Sequence, residues 1–154
     1  MKSLVVYDSW YGNTRFIAEA IADGLEGDVQ VIKSNDDPYK YLSDCELLVV
    51  GSPTHGGVVT PNMHEFLDSL NGDDLEGIAV AVFDTRMTQR WLKVIGFAAP
   101  RIAKQLQQKC GTLIMPPEGF YVTGKEGPLK DNELARAINW GAHVAQKVKA
   151  GAIA

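Results

Sequence analysis

An open, doubly wound α/β sheet is the fold that this 154-residue sequence predicts. Three observations carry the prediction. Short apolar runs (Leu4-Val5-Val6, Glu46 to Val50, Ile78 to Phe83) have no polar face. Segments with helical spacing of apolar residues separate these runs. Several of the runs also end in loops rich in Gly, Ser, Thr and Asp. Strands apolar on both sides need cover on both sides, which helical crossovers of one hand supply to a parallel sheet. The expectation is one domain, residues 1–154, with a five-stranded parallel sheet in the order 2-1-3-4-5 and helices on both faces.

The elements follow in order. Residues 3–7 read as a buried strand. Phe16, Ile17, Ala20, Ile21 and Leu25 then recur at helical spacing over 14–25, with Gly27 as a stop. Asp28 to Lys33 alternates as a short strand. Ser34-Asn35-Asp36-Asp37-Pro38 is loop chemistry, followed by one helical turn through Tyr39 to Leu42. Glu46 to Val50 forms the next strand. Pro61 and Asn62 open a helix with Met63, Phe66, Leu67 and Leu70 inward, closed by Asn71-Gly72. Ile78 to Phe83 is a strand, and 98–109 a helix with Ile102 and Leu106 inward. A last strand begins at Thr112, is interrupted by Pro116-Pro117 and resumes at Phe120 to Val122. Leu134 to Lys149 is the final helix.

The chain is long enough to bury a full core, and its 45% hydrophobic and 22% charged residues are ordinary for a globular protein. No apolar run approaches the roughly 20 residues that span a bilayer, and the start lacks the pattern of a signal peptide. Cys45 and Cys110 have neither C-x-x-C nor metal-ligand spacing, and the expectation is two reduced thiols in a cytoplasmic protein with no metal site. The net charge of −4 divides unevenly: residues 1–77 carry −10 and residues 78–154 carry +6. Such a split either orients a charged partner or consists of scattered solvated side chains.

In open α/β sheets, ligands bind beyond the carboxyl ends of the strands where the strand order reverses. Three unusual loops, 8–14, 51–61 and 84–91, leave the neighbouring strands one, three and four. The first offers the Ser9 and Thr14 hydroxyls, the Asn13 amide and a close backbone approach at Gly12. It opens a helix, so free N–H groups and the helix dipole converge on an anion. It has no Gly-Lys-Ser or Gly-Lys-Thr, so it suits a phosphate that is held and never transferred. Arg15, the nearby cation, reads as pointing to solvent. Trp10 screens the phosphate, faces a partner or packs. The second loop, Pro53-Thr54-His55-Gly56-Gly57, lets a flat ring approach the backbone, with His55 as a stacking or proton-carrying group or a residue without special role. The third brings Asp84, Thr85, Arg86, Arg90 and Trp91, the tryptophan being either a flat lid on an aromatic ligand or folded onto the next helix. His64 and His143 read as structural or exposed, and Trp140 as core.

These residues resemble the flavodoxin family. Val5-Val6-Tyr7-Asp8-Ser9-Trp10-Tyr11-Gly12-Asn13-Thr14 followed by Ala18 is similar to the family's phosphate-loop signature, and Gly51-Ser52-Pro53-Thr54-His55-Gly56-Gly57 to its flavin-side loop. A weaker similarity covers Gly119-Phe120 through Gly127-Pro128-Leu129. The resemblance implies a flavodoxin-like fold of the short-chain type binding FMN non-covalently and passing electrons one at a time through the semiquinone. In that reading Ser9, Trp10, Tyr11, Gly12, Asn13 and Thr14 surround the phosphate. Pro53, Thr54, His55, Gly56 and Gly57 line the isoalloxazine, the Gly56 carbonyl accepting from N5–H. Asp84, Thr85, Arg86 and Trp91 complete the site, with Trp91 near the outer stacking position. No side chain does acid–base work; the flavin carries the chemistry.

This chain departs from the pattern at Tyr11, where the family usually has Thr, and at His55, where an apolar residue or Trp is common. Arg86 and Arg90 add cations in the third loop, and a cation near N1 would raise a low flavin potential. The resemblance implies redox protein partners, a reductase and an acceptor, and no nucleic acid; a monomer is favoured. The alternative on the same fold is an FMN-dependent oxidoreductase of quinone or protoporphyrinogen-oxidase type, whose anionic substrate the arginines would suit. A response-regulator receiver would need an aspartate after strand three and a lysine after strand five; the chain has Gly51-Ser52 at the first place and no lysine before Lys125 near the second. A flavin-free interaction domain is the fourth reading, since fold alone does not determine function.

Overall fold

The computed structural model describes residues 1–55, 57–88 and 96–153. Its strands are β1 (Lys2–Tyr7), β2 (Asp28–Lys33), β3 (Leu47–Pro53), β4 (Ala79–Met87), β5 (Thr112–Leu113) and β6 (Glu118–Val122). Its α-helices are α1 (Asn13–Gly24), α2 (Pro61–Ser69), α3 (Ala98–Gln108) and α4 (Glu133–Ile153), with one 3-10 turn at Pro38–Tyr41. All strand pairs are parallel, in the predicted order β2-β1-β3-β4-β5.

The sixth strand is the fifth predicted one, divided. β5 pairs with Ala79 and Val80 of β4, and β6 pairs with the same strand further along, from Phe83 to Met87. Pro116 and Pro117 lie between them. Proline has no N–H to donate, so the ladder stops there and restarts at Glu118.

Strand alternation sorts the interior into two layers. Leu4, Val6, Leu48, Val50, Val80 and Val82 face α2 and α3, while Val5, Leu47, Val49, Ala81 and Phe83 face α1 and α4. The second layer closes on an edge-to-face triad of Phe83, Phe120 and Trp140, with ring centroids 6.1–6.4 Å apart. Trp140 is core, as its helical spacing indicates. Gly51 makes room for the triad, because a Cβ there would strike the Phe83 ring.

Two strands run longer than the sequence suggests. β3 includes Gly51, Ser52 and Pro53, and β4 includes Asp84, Thr85 and Arg86. The loops that leave these strands therefore begin at Thr54 and Thr88, and seven residues assigned to loops, Met87 among them, are strand residues. Of the expected site residues, Gly56 and Trp91 lie outside the described residues, as does Arg90.

Candidate cofactor-binding site

The carboxyl ends of β1, β3, β4 and β6 adjoin, and the site is built on them. Beyond Tyr7 the Asp8 N–H still donates to the Gly51 carbonyl, at 3.1 Å. The chain then leaves the sheet in a self-bonded turn: Ser9 N–H donates to Asp8 Oδ1 at 2.9 Å, and Gly12 N–H to Ser9 Oγ at 3.0 Å. Gly12 has φ 91°, a left-handed conformation that glycine adopts without strain. The first bond of α1 runs from Phe16 N–H to the Gly12 carbonyl, 3.0 Å. The N–H groups of Asn13, Thr14 and Arg15 precede it and have no acceptor within the helix. They converge at the positive end of the helix dipole, a place for phosphate oxygens.

Two side chains of α1 tie this end to distant segments. Thr14 Oγ1 and Thr85 Oγ1 share a buried hydrogen bond of 2.8 Å, joining α1 to β4. Asn13 Nδ2 donates to the Glu126 carbonyl at 3.1 Å. A Cβ on Gly127 would come within 2.6 Å of Asn13 Oδ1, so glycine is needed for this approach. The 123–128 turn after β6 thus becomes a fourth wall.

The second loop is held from both sides. Thr54 N–H donates to the Thr85 carbonyl at 3.0 Å, and Thr54 Oγ1 accepts from Ala98 N–H at 3.1 Å. His55 and Val58 exchange two backbone hydrogen bonds around a turn in which Gly57 has φ 78°. The His55 ring lies flat against Trp10, centroids 4.0 Å apart and planes 17° from parallel, with Tyr11 edge-on at 6.4 Å. His55 Nε2 is buried without a hydrogen-bond partner. Burial pushes this imidazole below its ordinary pKa, and the nearby Lys125 ammonium pushes it further, against a smaller opposing pull from Asp8.

Asp84 and Arg86 do something other than the sequence suggests. They lie two apart on a strand and share the α3 face, while Thr85 between them faces α1. Arg86 grips the fully buried Asp84 with a two-pronged bond of 2.6 and 2.8 Å and lies over the Phe97 ring, 3.6 Å from its centroid. Asp84 also accepts from Ala99 N–H at 2.9 Å, which fixes the start of α3. Burial pushes the Asp84 carboxyl up and the guanidinium opposes that shift. The Arg86 charge is therefore spent on Asp84 inside the protein.

One cavity, of about 30 Å³, is lined by Ser9, Trp10, Tyr11, Asn13, Thr14, Pro53, Thr54, His55, Thr85, Val122 and Lys125. It gathers nine of the expected site residues. Gly12 and Gly57 shape its turns, and Asp84 and Arg86 stand behind it. Two lining residues escaped the sequence reading, Val122 and Lys125. The weak similarity across Gly119 to Leu129 was the signal for them.

The residues suit FMN. The start of α1 presents unpaired N–H groups to a phosphate, and the facing rings of Trp10 and His55 mark a place for a flat system. At a 4.0 Å centroid separation those rings are already in contact. A ligand ring between them would need about 7 Å, twice the usual ~3.5 Å contact, so the Trp10–His55 pair must part to admit it.

The sequence matches the flavodoxin-domain family model over residues 4–125. The chain belongs to the flavodoxin family. Flavodoxins bind FMN and carry electrons. A flavodoxin from Aquifex aeolicus (strain VF5) is 36% identical over 91 residues, 54% of this chain and 49% of that protein. The NADPH sulfite reductase flavoprotein alpha-component of Shigella dysenteriae serotype 1 (strain Sd197) is 34% identical over 86 residues, 51% of this chain and 14% of that one. The chain thus spans about half the length of the curated flavodoxin it matches, and a small part of the larger flavoprotein. Among solved structures, an archaeal flavodoxin superposes with a TM-score of 0.79 at 29% identity, covering 97% of this chain and 99% of that one.

Among the described residues, no cluster of His, Cys, Asp and Glu is arranged to hold a metal ion. No described helix is long and apolar enough to cross a membrane.

Proposed function

We propose that residues 1–154 form one flavin-binding unit that carries electrons singly between protein partners, a reductase and an acceptor, through the semiquinone state of a bound FMN. One observation carries the reading. Asn13 and Thr14, which open α1, line the same small cavity as the stacked Trp10 and His55, so a phosphate site and a flat-ring site adjoin. The family membership supports the same ligand.

Ser9, Trp10, Tyr11, Gly12, Asn13 and Thr14 would hold the phosphate end. Pro53, Thr54, His55, Gly56 and Gly57 would line the ring, with Trp91 over its outer face. Thr85 braces Thr14 from behind, and the Asp84–Arg86 pair fixes the start of α3. When bound, the flavin supplies the redox chemistry. The protein's part is to exclude water, hold the ring and set the charge around it. The two free cysteines are in keeping with a cytoplasmic location, and a monomer is the expected form.

The enzyme reading rested on two arginines facing an anionic substrate. Arg86 is committed to Asp84, which removes half of that argument.

The visible spectrum of the purified protein tests the ligand. Yellow colour, or quenching of added FMN fluorescence, is expected; a colourless protein that leaves FMN fluorescence unchanged would sink the reading. Stepwise reduction tests the carrier role. Accumulation of semiquinone supports it, whereas its absence together with rapid quinone turnover replaces the carrier by an oxidoreductase.

A further inference from the structure

A second opening lies between the carboxyl end of β2 and the helix α2. Its volume is about 470 Å³, within the ~300–1,000 Å³ range of small-molecule sites. One wall is the turn after β2, with Ser34, Asp37 and Tyr39; the other is α2, with Asn62, Glu65 and Phe66. The turn is held at both ends. Ser34 N–H donates to the Tyr7 carbonyl at 2.7 Å, carrying the β1–β2 ladder one residue further, and Asn71 Nδ2 donates to the Tyr39 hydroxyl at 3.4 Å.

Strand alternation fixes where Ser34 points. Ile32, two residues earlier, packs in the layer under α2 and α3, so Ser34 turns the same way, toward α2. Ser34 is 5% exposed, and its Oγ is buried without a hydrogen-bond partner. Buried hydroxyls in folded proteins are normally paired, so an orphan on the wall of an opening marks a place for a ligand atom.

The rest of the lining states the ligand's chemistry. Asp37 and Glu65 put one carboxylate on each wall, and no Lys, Arg or His is among the described lining residues. Neither carboxylate has an ion-pair partner among the described residues. The part of the chain that builds the groove, residues 1–77, carries −10. An anion is repelled here, and a ligand with two positive ends meets a charge on each wall. Pro38 and Phe66 supply apolar surface between them. Two carboxylates are too few for a metal ion, and no metal-binding cluster occurs among the described residues.

We propose that this groove is a second ligand site and takes a short aliphatic polyamine, its ammonium groups on Asp37 and Glu65, its carbon chain along Pro38 and Phe66, and one N–H on the Ser34 hydroxyl. The site stands independently of the FMN reading, because the groove shares no lining residue with the candidate cofactor cavity.

Calorimetric titration of spermidine into the purified chain, with and without added FMN, tests this, together with the amide resonances of the wild type. Saturable binding is expected, weakening as salt rises, with resonance changes confined to residues 34–39 and 61–69. Asp37→Asn and Glu65→Gln should each weaken spermidine about fivefold, whereas Asp131→Asn, which removes the same charge from an exposed position outside the groove, should stay within about twofold. Ser34→Ala should weaken it about threefold. Equal losses in all three acid variants would reduce the binding to general charge attraction and overturn the site, as would resonance changes elsewhere or no binding at all. Glucose bound in place of spermidine would overturn the cationic class. An N-acetyl-lysine amide bound as tightly as spermidine would replace the polyamine by a single protein side chain.

Discussion

Asp84 and Arg86 illustrate how one buried residue decides what its neighbour can do. Asp84 is wholly buried and is bonded by the Arg86 fork and the Ala99 N–H. Removing one partner strands the other, so Arg86→Met should cost about 3–5 kcal/mol in urea denaturation at pH 7, and Asp84→Asn in the same chain should recover much of it. The loss should depend on pH. Without the guanidinium, burial acts unopposed and raises the Asp84 pKa further in the folded state. A carboxyl raised on folding destabilises at pH above its unfolded value of about 3.9, and below that both states hold the proton. The deficit of Arg86→Met should therefore shrink as pH falls from 7 toward 4; a pH-independent deficit contradicts this account. His55 titrates in the opposite sense. Its folded pKa is lowered, so it contributes stability that is present above about pH 6.5 and lost as pH falls through the folded value. Its imidazole resonances should titrate below 6.5, and Lys125→Met should move the midpoint upward. A midpoint at or above 6.5 in the wild type would show that burial and Lys125 do not govern it.

At the scale of elements, α1 and α4 meet backbone to backbone. A Cβ on Gly141 would strike the Ile21 carbonyl, and one on Gly24 the Ile138 carbonyl. Gly141→Ala should force the helices apart and lower the urea midpoint by the equivalent of about 1–3 kcal/mol, with little change of slope. Gly72, where nothing lies within 4 Å of an added Cβ, supplies the comparison and should be nearly silent. The helices and strands themselves were legible in the sequence because their signal is local: a 3.6 period over 14–25, apolar runs at β1, β3 and β4, two prolines that divide the last strand. The start of the candidate site was legible for the same reason, since a Gly-Asn-Thr opening a helix after a buried strand is a local pattern. What was not legible needs two distant segments at once. Asp84, Thr85 and Arg86 read as loop because they are polar, and only α3 and α1 packed on either side make them strand residues. Lys125 reads as one lysine in a surface turn until the Asn13–Glu126 bond, spanning 113 residues, brings it to the helix start.

Across the whole molecule, the division of charge along the chain is also a division in space. Residues 1–77 supply β2, β1 and β3 with α1 and α2 and carry −10; residues 78–154 supply β4, β5 and β6 with α3 and α4 and carry +6. The candidate cofactor cavity straddles that border, with Ser9 and His55 from the acidic part and Thr85 and Lys125 from the basic part. A ligand there bridges the two parts and should stabilise the fold as one unit. The two apolar layers are complete without it, because each sheet face is covered by its own helix pair. The protein should therefore fold without FMN and gain only the linkage energy of binding. At a hundredfold excess over the dissociation constant that gain is about 2.7 kcal/mol, or roughly 5–10 °C in melting temperature for a chain of this size. Hydrogen exchange should locate the gain, slowing in the turns 8–14, 54–58 and 123–128 and remaining unchanged in the central strands β1 and β3 beyond the common shift in global stability. A chain that melts only when FMN is present would show instead that the sheet needs its ligand to form, and that the two layers do not close independently.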